Sequence, residues 1–152
     1  MITADQIVCH MIGDYVLQSD WMANQKTKSP WPCLAHVLLY SIPFILWFQP
    51  SFAALAVIIS THYYIDRYRL ARYICWFKNF LAPKYMSNNT SDTRDFPNLF
   101  VNPGEKFRNY RWQQCTATGY NPNRPVWMTV WLMIITDNLM HILINGLALR
   151  YL

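Results

Sequence analysis

FAALAVIISTHYYIDRYRLARY, residues 52–73, carries three kinds of chemistry in one run. Phe52 to Ile59 is apolar throughout, His62 and Asp66 follow four residues apart, and Arg67, Arg69 and Arg72 close the segment. Four residues is close to one helical turn, so His62 and Asp66 project from one face. A helix that starts apolar, ends basic and holds ionisable side chains between has the form of a membrane span whose basic end stays in water. The run predicts a helix from about 52 to 73 and an all-α, polytopic membrane bundle around it.

The His/Asp spacing recurs outward from this run. His10/Asp14 and Asp137/His141 repeat it inside apolar stretches, and His36 lies in another. All 4 histidines and three of the 8 acids thus stand where ionisable groups are costly to keep. Their placement predicts one buried site assembled from several helices.

The composition agrees with a membrane chain. It is 53% apolar and 16% aromatic, with the apolar residues gathered in 31–65 and 125–152 and a polar, Asn-, Pro- and Arg-rich stretch at 78–124. The length suits a single domain, residues 1–152. Four helices are predicted, at about 3–23, 31–48, 52–73 and 125–151, with a cytoplasmic insert at about 78–124. Thr3 with Gln6 reads as a capping box. Pro30 and Pro32 open the second helix, Pro43 should kink it, and Gln49-Pro50-Ser51 reverses the chain. The later helices approach the ~20 residues that cross a bilayer. The first is more polar, so it either turns that face into the bundle or lies at the interface.

Cys9, Cys33, Cys75 and Cys115 form no CxxC pair and read as reduced thiols. No Lys or Arg precedes the first apolar run, as a signal peptide would require. Lys26 and Lys28 lie between helices 1 and 2, and most other cations lie between helices 3 and 4. The positive-inside rule puts both segments in the cytoplasm, which fits a multi-pass protein of a bacterial inner membrane. On this topology the polar residues fall at similar depth, in the cytoplasmic half, and predict a cleft open to that side.

Imidazole and carboxylate are standard ligands for divalent ions. His10, Asp14, His36, His62, Asp66, Asp137 and His141 are the candidate ligands, for zinc or manganese before other metals. Asp14, Asp66, Asp137 and His62 are the candidate catalytic groups, and Gln18 and Asn145 extend the polar stripes as hydrogen-bond partners. Arg67 and Arg69 are placed to receive a substrate phosphate or lipid headgroup. A single His/Asp pair is more often an intrahelical hydrogen bond; three pairs, with His36 completing the set of histidines, favour a site. The 78–124 stretch interleaves basic and aromatic residues but holds no compact nucleic-acid motif, so a cap with a short interfacial helix from Pro103 to about Cys115 is expected instead. The partners expected are the bilayer and a phosphorylated or headgroup substrate; a homo-oligomer is compatible with this composition.

HMIGDYVLQSDWMA, residues 10–23, followed by Asn24 and Lys26, then His36, His62…Asp66 and Asp137…His141, resembles a family of small bacterial and phage membrane proteins catalogued as domain of unknown function 3307. The resemblance implies a membrane location and a phage or bacterial setting, and no reaction; it leaves 78–124 unmatched. The use of His and Asp on membrane helices is more loosely similar to membrane-bound metal-dependent hydrolases. The leading expectation is metal-dependent hydrolysis of a phosphoester. The alternatives are a non-enzymatic factor acting on the host envelope or a host system, with the pairs as a structural network, and a proton or ion conductor. The apolar outer halves of helices 2 and 3 argue against the last.

Overall fold

The structure, a computed structural model, describes residues 2–81, 112–120, 122 and 124–152. Among these residues every regular element is helical: α1 (Ala4–Met11), a π turn (Ile12–Val16), α2 (Asp20–Gln25), α3 (Pro30–Phe48), α4 (Phe52–Tyr68), α5 (Ala71–Leu81), a 3-10 turn (Trp112–Gln114) and α6 (Val126–Tyr151). The all-α expectation is met. The interfacial helix expected from Pro103 lies outside the described residues except at its end, where Trp112–Gln114 form the 3-10 turn.

Two of the expected helices are divided, each for a local reason. The segment 3–23 starts as expected, with the Thr3 hydroxyl accepting the Gln6 amide at 3.3 Å. The Gln6 side chain does not return to Thr3; it donates to the Ile142 carbonyl. The helix then widens into the π turn, closed by Leu17 N–H to the Ile12 carbonyl at 3.0 Å. Ser19, extended at ψ 160°, caps α2 by accepting the Met22 amide. The segment 52–73 breaks at Arg69, which takes the left-handed region at φ 50°. Arg69 N–H bonds the Asp66 carbonyl and Leu70 N–H the Ile65 carbonyl, a Schellman closure. Gln49 ends α3 in the same left-handed region at φ 46°, with the single bond from its N–H to the Ile45 carbonyl because Pro50 has no N–H, and Ser51 caps α4 through the Ala54 amide at 3.0 Å.

Two helices, Pro30–Phe48 and Val126–Tyr151, are long and apolar enough to cross a membrane; α4 has 17 residues. The outer faces are apolar. On α6, Leu139, Leu143 and Leu147 are exposed at four-residue spacing while His141, Asn145 and Ala148 are buried. A helix with its polar residues inward and leucines outward is arranged for an apolar surround.

The chain divides into two compact units: residues 1–70 with 137–152, and residues 71–136. In the first, Cys9, Tyr40, Phe44, Ala54, Ile58 and Ala148 form the apolar core. Gly13 is required there, because a Cβ on it would stand 2.4 Å from Cδ2 of Tyr40. In the second, the Arg72 guanidinium lies 4.2 Å over the Trp112 ring, and Trp112 stacks on Tyr73 at 4.5 Å. Gly119, at φ 78°, passes so close to the Arg72 carbonyl that a Cβ would sit 2.1 Å from it. The four cysteines are free thiols, as expected.

Candidate metal centre

The first unit gathers its ionisable side chains at one point. Asp14 comes from the π turn, His36 from α3, and His62 and Asp66 from successive turns of α4. His36 Nε2 stands 3.3 Å from Asp14 Oδ1 and 3.1 Å from Asp66 Oδ2. His62 Nε2 stands 3.4 Å from Asp14 Oδ1 and 3.1 Å from Asp66 Oδ2. The two Nε2 atoms are 3.0 Å apart. All four residues are buried.

Protons are too few for these contacts. Each Nε2 carries at most one hydrogen and each ionised carboxylate oxygen none, so two hydrogens at most serve five contacts. If both Nε2 atoms are protonated, their hydrogens oppose each other across 3.0 Å. Asp14 Oδ1 is left buried without a hydrogen bond. A cation held by Asp14, His36 and His62, whose donor atoms lie within 4.8 Å of one another, would give the buried Asp14 oxygen a partner. Buried imidazole and carboxylate donors of this kind could hold a metal ion.

The surrounding residues hold this set in place. The Tyr40 ring stacks on His62 with centroids 3.8 Å apart. Its hydroxyl accepts from Asn145 Nδ2 at 2.6 Å and meets His10 Nδ1 at 2.8 Å. The Tyr40 proton therefore goes to His10 Nδ1, and His10 Nε2–H donates to Asn138 Oδ1 at 2.7 Å. With both ring nitrogens engaged, His10 is a buttress, 3.5 Å from Asp14 Oδ2, rather than a ligand. Gln18 donates to the Asp14 backbone carbonyl, not to its carboxylate. His141 stacks on His62 at 3.9 Å; its Nε2 lies 3.5 Å from Asp137 Oδ2 and 3.8 Å from Asp66 Oδ1.

The arginines are placed differently from the sequence expectation. Arg67 donates to the backbone carbonyls of Thr27 and Lys28, and Arg69 is an exposed helix cap. Lys26 instead reaches the donor set, with Nζ 2.8 Å from Asp66 Oδ2. Burial disfavours its charged form, but the Asp66 carboxylate outweighs this and holds the amine above its ordinary range. Sequence reasoning does not single out Tyr40 or Asn138, and it gives Lys26 no role in the site. Tyr40 follows His36 by one helical turn, and Asn138 precedes His141 by three residues, which is the available signal. Lys26 sits in a polar turn that marks only topology.

A family model described as "Protein of unknown function (DUF3307)" matches residues 2–91. The chain belongs to the DUF3307 family. No curated protein and no solved structure matches it. The DUF3307 segment contains Asp14, His36, His62, Asp66 and Lys26, so the four-donor set lies wholly within it, while Asp137 and His141 lie beyond.

A cation bound at Asp66 would compete with Lys26 for one of its oxygens. Lys26→Met should raise the affinity for added zinc about tenfold, the order of one partly screened charge contact, as read by competition with a chromophoric chelator.

Proposed function

We propose that this DUF3307 chain is a membrane-embedded, metal-dependent hydrolase acting on a phosphoester, with its centre open toward the cytoplasm. The observation that supports it is the convergence of two imidazoles and two carboxylates, with fewer protons than contacts. Asp14, His36, His62 and Asp66 would hold the ion. A bound divalent ion supplies Lewis acidity toward a phosphoryl oxygen and acidifies bound water. The chain's residues do the rest. Tyr40 and His10 fix the orientation of His62 and Asp14. The apolar core around Tyr40 and Phe44 excludes bulk water from one side. Lys26, a fifth exposed, brings a positive charge to the rim for an anionic substrate. The reading of an opening to the cytoplasm draws on Lys26 and Arg67, which join the basic 26–28 turn to the end of α4. A bacterial inner membrane is the setting this charge pattern favours.

The purified full chain in detergent, supplied with zinc or manganese, is expected to retain the metal through gel filtration and to hydrolyse a chromogenic phosphodiester. His62→Ala should lose both. Protein with no affinity for either metal, or with affinity unchanged in His62→Ala, would sink the reading.

One contact favours a second reading, in which the cluster is structural and the protein is a non-enzymatic membrane factor. Lys26 already supplies a positive charge to Asp66 at 2.8 Å. In that case Asp66→Asn would lower the thermal stability of the metal-free protein, and added zinc would raise the stability of neither wild type nor variant.

A further inference from the structure

Asp66 uses its two oxygens on different sides. Oδ2 faces His36, His62 and Lys26, whereas Oδ1 faces His141 Nε2 at 3.8 Å. His141 is 1% exposed, and its Nε2 makes no hydrogen bond although Asp137 Oδ2 lies 3.5 Å away. The nitrogen thus faces two carboxylate oxygens at ion-pair distance without closing to a hydrogen bond on either, a spacing that leaves room for a group between the three atoms. The Asp137 side chain is 28% exposed and that of Asp14 11%, so this second group of donors is the more open of the two.

We propose that the chain holds a second divalent cation, on Asp66 Oδ1, His141 Nε2 and Asp137 Oδ2, bridged to the first through the Asp66 carboxylate. The proposal rests on the metal-centre reading and adds its nuclearity. A carboxylate that gives one oxygen to each of two donor clusters is the usual bridge of paired-ion sites, whose ions stand ~3.5–4 Å apart. The stacking of His141 on His62 at 3.9 Å keeps the two clusters in register, because each ring limits the tilt of the other. Such a pair suits phosphoesters, since one ion and its partner can contact different oxygens of the phosphoryl group. The three-ligand second site, with one ligand at the surface, is the one that leaves positions open to substrate.

Manganese titration of the metal-free full chain in detergent tests this, with stoichiometry from elemental analysis and coupling from electron paramagnetic resonance. Wild type should take up two equivalents, and the second should replace the isolated-ion spectrum with an exchange-coupled one. Asp137→Asn and His141→Gln should each hold one equivalent with an isolated-ion spectrum. The wild-type spectrum decides the matter even if His141→Gln does not fold, and Asp137, being partly exposed, tolerates the change to Asn. A wild type that saturates at one uncoupled equivalent overturns the second site and leaves the first standing. A wild type that binds no manganese, and no zinc in the same assay, overturns both.

Discussion

Asp66→Asn is expected to weaken cation binding by more than about 100-fold, since even the loss of an outer hydrogen-bond partner of a ligand costs 10–100-fold. Asp66 touches His36, His62, His141 and Lys26. The neutral amide keeps the shape but withdraws the negative charge, and its nitrogen is a donor that cannot ligate. It also leaves the Lys26 ammonium without its counter-ion. Breaking a buried pair from one side costs about 3–5 kcal/mol, and the lower end applies because Lys26 is 20% exposed and can rehydrate. Isothermal titration with zinc and thermal denaturation of the metal-free protein separate the two effects. Unchanged zinc affinity in a folded Asp66→Asn variant would remove Asp66 from the donor set.

Gly13→Ala should be the most damaging single methyl in the first unit. Its Cβ would meet Cδ2 of Tyr40 at 2.4 Å and Cε2 at 3.0 Å. Tyr40 is fully buried, packed on His62 and tied by its hydroxyl to His10 and Asn145, so the ring has little room to yield. Overpacking of this kind costs about 1–3 kcal/mol or more, and the rigid neighbours put this site at the upper end. Thermal or denaturant unfolding checks the magnitude. The cause is checked in a Tyr40→Ala background, where adding Gly13→Ala should cost little further, because the two side chains compete for one volume. A similar loss in both backgrounds would place the strain elsewhere.

Much of the fold is legible in the sequence because it rests on periodicity. The apolar runs of α3 and α6, Pro30 and the Gln49-Pro50-Ser51 reversal place α3, α4 and α6 within a residue of their observed starts. The helix ends that escape such reading depend on backbone states with no side-chain signature. Arg69 and Gln49 adopt left-handed conformations that glycine would have announced, and an arginine at a Schellman closure reads as one more helical residue. The π turn is equally hidden, since a local widening leaves the sequence pattern intact. In the site, His62/Asp66 is legible from a single helix face. The Lys26–Asp66 contact spans forty residues of chain, and no local spacing encodes it. The role of Tyr40 depends on three helices meeting at its ring, so its neighbours identify it only after folding.

The π turn bears on how this segment tolerates change over generations. Asp14 reaches the centre because five residues, Ile12–Val16, occupy a turn that an α-helix would complete in fewer. Its aim is therefore set by residue count as much as by residue identity. Replacing exposed Tyr15 or Val16 keeps that count, whereas gaining or losing one residue rotates the adjoining helix by about 100°. Insertions and deletions, more than substitutions, are the lesions this stretch cannot absorb.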